Sequence, residues 1–293
     1  MVALSAFADE ISESVEEQVA VLAALAIRFI DVRGVGGRNV ASLTMGEVRA
    51  LRDDLDRHGL EVASLASPVG KSPADTPLDD LRGRVEHAAV LAHILGTPSV
   101  RVFSFYPPGL TGPHHEGDPP VDLAAWRDAA FVRLAAMIGW ARESGVVLLV
   151  ENDRGTYSET VDGAAEMVAA LGSEHLGVVL DPANFVQSGE IAYPDGYAAL
   201  APWVRQVHVK DVTADGTMVA AGEGTVGWPE LLRALRDDGY PGLLSLEPHL
   251  ARGGQFGGFT GPELYPRAAA ALRDLLAQLE WVEESTIIDV QEA

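Results

Sequence analysis

A chain of 293 residues, 47% hydrophobic and 22% charged, holds enough apolar material for one large core or two small domains. Its formal charge of −22 argues against binding a phosphate backbone, and the absence of cysteine excludes disulfides, thiolate metal ligands and a cysteine nucleophile. No stretch reaches the ~20 apolar residues of a membrane span, and the start of the chain lacks the basic and apolar segments of a signal peptide, so a cytoplasmic protein with no membrane partner is expected.

Strand and helix patterns alternate from end to end. A strand over Ala3–Phe7 precedes a helix from about Ser14, where Glu17 three residues on suggests a capping box and Val15, Val19, Leu22 and Ala26 keep helical spacing. A strand at Phe29–Val32 ends at Arg33 and a Gly-rich turn; a helix follows over Thr44–His58, then a strand over Glu61–Leu65. The pattern continues with a helix at Leu78–Leu95 and a strand at Ser99–Phe105. The Pro- and Gly-rich segment Tyr106–Pro120 reads as a long loop, and a helix over Asp122–Ser144 follows it. Strands at Val146–Val150, Gly177–Leu180, Val204–Val209 and Gly242–Leu246 then alternate with helices at Glu159–Leu171, Asp195–Ala201, Pro229–Asp238 and Glu263–Glu280. Eight strand–helix units without a separating linker predict an α/β fold, a single-domain (β/α)8 barrel over residues 1–280, with 281–293 as a C-terminal tail.

Four of the later strands end on residues able to ligate a divalent metal: Glu151 in LLVEN, Asp181 in GVVLDPAN, His208 in VRQVHVKD and Glu247 in LLSLEPH. The spacings of 30, 27 and 39 residues each fit one strand, one helix and two loops. Taken singly, an acidic residue after a strand reads equally well as a helix cap, and a histidine in an apolar strand as a core residue. Four such residues at successive strand ends converge only if the strands are parallel neighbours with their C-terminal ends together, which is the active-site face of a barrel. Three oxygen donors and one imidazole suit one divalent ion, Mn²⁺ or Mg²⁺ ahead of Co²⁺ or Zn²⁺. Lys210 follows His208 by two and is expected on the same side of the strand, facing the barrel interior as a catalytic group.

The ordered set VEN, LDPAN, HVKD and LEPH resembles the xylose isomerase-like TIM-barrel superfamily, and within it the sugar phosphate isomerase/epimerase group. FADEIS, DVRG with its glycine turn, SPVGK, RVFSFY and GEGTVGWPELLRALRDDGYPG resemble the same group, so the likeness covers about residues 3–280. The resemblance implies that Glu151, Asp181, His208 and Glu247 are the metal ligands and that Glu151 and Glu247 also move the substrate's α-proton by way of a metal-stabilised enediolate. It implies an isomerase or epimerase acting on a small polyhydroxy carbonyl compound, a sugar, sugar phosphate or keto-polyol. Two alternatives stand beside it. One is a lyase of the same fold, acting by inosose-type dehydration or 3-keto-glycoside β-elimination; the other is a non-catalytic sugar-binding barrel or a subunit of a complex.

This chain departs from the epimerases at Asn184, where they carry a substrate-contacting histidine, and HVKD resembles the inosose dehydratase branch. Asn184 is expected to bind substrate, together with Glu10, Arg33, Lys71 and Arg154, which lie just past strands. His249 reads as support for Glu247. Phe103, Phe105 and Tyr106 read as an apolar wall, and Arg252–Thr260 as a lid. His114 and His115 read as solvated loop residues. The glycines around Glu223 could hold an anion, although that glutamate opposes it. No nucleic-acid partner is expected, and assembly into a homo-oligomer is left open.

Overall fold

The computed structural model describes residues 1–112, 122–251 and 258–284. Eight parallel strands close into a barrel: β1 (Ala3–Phe7), β2 (Phe29–Val32), β3 (Glu61–Ala66), β4 (Ser99–Val102), β5 (Val147–Glu151), β6 (Leu176–Leu180), β7 (Val204–Val209) and β8 (Leu243–Leu246). Each strand pairs with its neighbours in sequence, and β8 returns to β1 through Ala3–Leu243 to Ala6–Leu246. The helices α1 (Val15–Ala24), α2 (Met45–Arg57), α3 (Leu78–Leu95), α4 (Leu123–Ser144), α5 (Val161–Leu171), α6 (Pro182–Gln187), α7 (Tyr197–Leu200), α8 (Trp228–Asp237) and α9 (Tyr265–Gln278) belong to the connections between strands. Among the described residues no helix is long and apolar enough to cross a membrane.

The chain makes these elements for local reasons. Val, Leu and Ile dominate the strands, and β6 is buried along its whole length between the barrel interior and the helices. Helix α2 starts on a full capping box: Thr44 accepts from Glu47 N while Glu47 accepts from Thr44 N. The box expected at Ser14 is only half made, since Ser14 accepts from Glu17 N without a return bond. Strand β4 ends at Val102, three residues earlier than expected, because Phe103 N turns to Val69 O and Phe105 takes φ 73°.

The barrel interior is polar at one level below its C-terminal ends. Asp31 of β2 accepts from Ser5, Ser64 and Gln206, each at 2.6 Å, and Gln206 also donates to Ser245. At the opposite end of the strands from the cavity described below, Val2 pairs with Glu283 and Trp281 is buried. The first residues after α9 therefore lie against the beginning of β1.

Candidate metal centre

Glu151 ends β5, Asp181 follows β6, His208 lies in β7 and Glu247 follows β8. Parallel pairing of β5 to β8 brings these four strand ends side by side, and the four ligand atoms lie within 4.8 Å of one another. All four residues are buried. His208 Nδ1 is 3.1 Å from Glu247 Oε2, 3.4 Å from Glu151 Oε1 and 4.0 Å from Asp181 Oδ2. Asp181 serves two purposes with different oxygens. Its Oδ1 caps α6 by accepting from Asn184 N at 3.0 Å, which leaves Oδ2 turned to the cluster. Asn152 fixes the adjoining backbone, donating to Asp181 O and accepting from Asp181 N, both at 2.8 Å.

Every carboxylate in the quartet also has a cation beside it. Arg101 Nη1 lies 3.2 Å from Glu151 Oε2, Lys210 Nζ 2.6 Å from Asp181 Oδ2, and Arg33 Nη1 2.7 Å from Glu247 Oε1. Arg33 also holds Asp9 at 2.8 Å and approaches Glu10 at 3.6 Å. Both guanidinium groups flank one ring: Phe7 lies 4.9 Å from Arg33 and 5.6 Å from Arg101, and meets His208 edge-on at 4.9 Å. Counting Asp9, Glu10 and the quartet, among the described residues five buried carboxylates face three buried cations, so these groups sum to two negative charges while the histidines are neutral.

The protein's own groups respond to that excess. Burial disfavours imidazolium, but Glu151 and Glu247 outweigh it and hold His208 up to about 10. Glu10 and Glu247 likewise outweigh burial and hold His249 up to about 9. Burial is outweighed again at Glu151, where His208 and Arg101 hold the carboxylate down to about 2. At Asp181 burial prevails over Lys210 and pushes the carboxyl up to about 6.

These residues fit a divalent ion. The charge deficit equals that of one such ion. Neither nitrogen of the buried His208 is in line for a hydrogen bond, although Nδ1 comes within 3.1 Å of Glu247 Oε2. Donor atoms that crowd together without facing one another are arranged as ligands around a common point. The set of three carboxylates and one imidazole suits Mg²⁺ or Mn²⁺ as well as Zn²⁺. A second trio, Glu10, Glu247 and His249, is as close. Arg33 lies against two of its carboxylates, 2.7 Å from Glu247 Oε1 and 3.6 Å from Glu10 Oε1, and the trio shares Glu247 with the quartet.

The cluster lies at the floor of a cavity of about 770 Å³. Arg33, Lys71, Arg154, Asn184 and Lys210, all expected to face substrate, line it. Asn184 points its amide nitrogen at Glu151 Oε1, 3.3 Å away, and at Asn152 O, 2.9 Å away, so it orients Glu151. Lys210 comes inward with His208 by strand alternation, and Trp228 Nε1 holds its carbonyl at 3.1 Å. Glu10 is a correction: it is fully buried and does not line the cavity. Its carboxylate accepts from His249 N and Thr260 Oγ1, stapling the loop after β8 to the turn after β1.

His249 supports Glu247 as expected, with Nε2 3.5 Å from Glu247 Oε1, and pays a backbone cost with φ 52°. Its ring packs on Gly258, where an added Cβ would come within 1.9 Å of it. Tyr106 reaches the cavity, whereas Phe103 and Phe105 are core residues. The glycines around Glu223 do bind an anion, but it is the protein's own: Asp211 accepts from Gly222 N, Gly224 N and Val226 N. His114, His115 and residues 252–257 of the expected lid lie outside the described residues.

Sequence reasoning missed Arg101, Asp9 and Asp153. Arg101 carried a signal, a lone arginine inside the apolar strand SVRV. Asp9 and Asp153 are indistinguishable in sequence from other loop acids.

A family model described as xylose isomerase-like TIM barrel matches residues 19–275. The chain belongs to the xylose isomerase-like TIM barrel family. Within reach of this family by sequence is a D-psicose 3-epimerase of Enterocloster bolteae, 27% identical over 169 residues, which cover 56% of this chain and 51% of that protein. The chain spans about half the length of the curated relatives it matches. Among solved structures it is similar to a probable 3-DHS dehydratase, AsbF, from Bacillus anthracis, at TM-score 0.70 and 18% identity, covering 93% of this chain and 99% of that one. It is also similar to a family protein from Mycobacterium smegmatis in complex with magnesium, at TM-score 0.69 and 19% identity, covering 95% of this chain and 97% of that one. At such identities these structures establish the shared fold.

Proposed function

We propose that the protein is a divalent-metal-dependent isomerase or epimerase that removes a proton next to the carbonyl of a small polyhydroxylated compound. Glu151, Asp181, His208 and Glu247 hold the ion in this reading, and a bound ion supplies Lewis-acid polarisation of the substrate's oxygens. The observation that carries the proposal is a pair of glutamates, Glu151 and Glu247, that both approach His208 Nδ1, at 3.4 and 3.1 Å, and both line one cavity. Neighbouring cations hold both in the ionised form that a base requires.

The two glutamates are not equivalent. Arg33 holds Glu247 Oε1 in a 2.7 Å hydrogen bond. The Oε2 of each glutamate makes no hydrogen bond, although Arg101 lies 3.2 Å from that of Glu151, and Glu151 Oε1 is met only by the neutral amide of Asn184 at 3.3 Å, a weaker hold than a guanidinium's. Glu151 is therefore the carboxylate readier to take a proton. In D₂O the metal-loaded protein is expected to introduce deuterium next to the carbonyl of a ketose or keto-inositol. Glu151→Gln should slow that exchange by about 10²-fold or more while leaving substrate binding largely intact. Undiminished exchange in the variant removes Glu151 from proton transfer.

Lys210 favours a second reading, a lyase. Its ammonium faces the cavity 3.8 Å from Glu247 and can donate a proton to a departing oxygen. Epimerisation and dehydration both begin by deprotonation beside a carbonyl, and similarity to an epimerase and to a probable dehydratase is consistent with either. A product carrying a new C=C bond absorbs in the ultraviolet, which separates the two.

A further inference from the structure

The chain has 21 basic residues, and only two are lysines, Lys71 and Lys210. Both line the same cavity. Elsewhere this sequence uses arginine for every other Lys/Arg position. The cavity wall carries Arg33, Lys71, Arg101, Arg154 and Lys210 against Glu151, Asp153, Asp215 and Glu247. The lining residues alone sum to one positive charge, while Asp181, Asp9 and Glu10 directly behind them leave the inner cluster short of cations, so the positive charge belongs to the outer part of the wall.

The five cations are not alike. Arg33, Arg101 and Lys210 are buried and committed to carboxylates of the metal cluster. Lys71 is at the cavity's outer part, 40% exposed, stacked 4.3 Å over the Phe103 ring and paired with Asp153 at 2.8 Å. Arg154, next in sequence to Asp153, is exposed, and among the described residues it has neither an ion pair nor a hydrogen bond. Lys71, Asp153 and Arg154 together amount to one positive charge, presented by a guanidinium fork with all its donors available.

We infer that Arg154, backed by Lys71, binds a carboxylate group of the substrate at the cavity's outer end. A planar fork with parallel N–H donors matches a carboxylate. A single local charge balances a carboxylate, whereas a phosphate ester near neutral pH carries close to two. The substrate is then a polyhydroxylated carbonyl compound that is also an acid, its carbonyl end at the metal cluster and its carboxylate at Arg154. This rests on the proposed function for the carbonyl end only.

Three six-carbon probes test it by calorimetric titration into the metal-loaded protein: D-fructose, D-fructose 6-phosphate and 5-keto-D-gluconate. The keto acid is expected to bind about tenfold or more tighter than fructose. Arg154→Ala should erase that advantage, and Lys71→Met should reduce it, with Mn²⁺ affinity unchanged in both. Reductive ¹³C-methylation supplies a second readout. With only two lysines, the Lys71 signal stands alone beside those of Lys210 and the Met1 amine, and it should shift on adding the keto acid. Equal binding of the three probes, an advantage that survives Arg154→Ala, or no binding of either acid up to about 10 mM overturns the inference. Tighter, Arg154-dependent binding of the phosphate ester overturns it in favour of a phosphate subsite. Deuterium exchange in neutral ketoses without acid preference defeats this inference and leaves the proposed function standing; Arg154-dependent acid binding without exchange does the reverse.

Discussion

The arginines beside the metal cluster differ from the surface ones in what they leave behind when removed. Arg33 stands among Asp9, Glu10 and Glu247, all buried, and its guanidinium is the fixed charge they share. Arg33→Met should cost about 3–5 kcal/mol in urea unfolding, because it leaves buried carboxylates uncompensated. Arg82→Met removes exposed pairs with Glu86 and Glu143 and should leave the urea midpoint nearly unchanged. Equal losses would mean that the Arg33 cluster is far more hydrated than its burial implies. Lys210 is the other residue whose position has a direct consequence. Lys210→Met should reduce turnover far more than it reduces metal content, since Lys210 touches Asp181 but is not itself a ligand. The quartet that could hold a metal was legible in the sequence because each member lies at or just past the end of an apolar strand, where alternation decides which way it points. Arg33 was legible as a residue just past a strand on the site's face, whereas Arg101 was missed although it stands alone inside the apolar strand SVRV.

At the scale of elements, the segment after β7 is a short ladder of dependencies. His208 and Lys210 point inward, so Asp211 turns away from the interior and is gripped by the amides of Gly222, Gly224 and Val226. That grip fixes the hairpin of Asp211–Val212 with Met218–Val219, whose turn at Asp215–Thr217 lines the cavity. Gly224 has no alternative, since a Cβ there would come within 2.2 Å of the Asp211 carboxylate. Asp211→Ala should lower stability by at least about 2 kcal/mol through stranded donors, and should make the 213–217 turn cleavable by protease while β7 stays protected. The strands and long helices were read from sequence to within a few residues, since each keeps its period over several turns or alternations. Helix α6 was not, because six residues starting at Asp-Pro look like a turn. Its cap is the same Asp181 whose other oxygen faces the cluster.

For the molecule as a whole, the charge deficit at the barrel's end ties stability to both metal and pH. With protein groups alone, His208 and His249 have their pKa raised above 6.5, to about 10 and about 9. A group raised on folding stabilises fully below its unfolded value and loses that contribution as pH rises through the folded value. The chelator-treated protein should therefore melt progressively lower between about pH 6.5 and 10. A bound ion takes over the compensation and displaces the His208 proton, so the loaded protein should show a flatter profile and an apparent metal affinity that rises with pH. At about a hundred times its dissociation constant the ion should add roughly 2.7 kcal/mol. Parallel melting curves with and without chelator across that range would rule out the quartet as the binding site.

The pairing beside the start of β1 has a mechanical meaning. Val2 N bonds Val282 O and Glu284 N bonds Val2 O, at 3.0 and 2.8 Å, and β1 is itself flanked by β8. Residues 2 and 284 thus leave the same end of the barrel, side by side. Tension applied between them would not stretch the strands against one another all at once. It would part this two-bond clasp first and then run up the β1–β8 seam one bond at a time, like a zip, opening the barrel at modest force. The seam ends just before Glu247, so the quartet would be the last thing reached, and an ion held there would leave the torn edge on the β1 side.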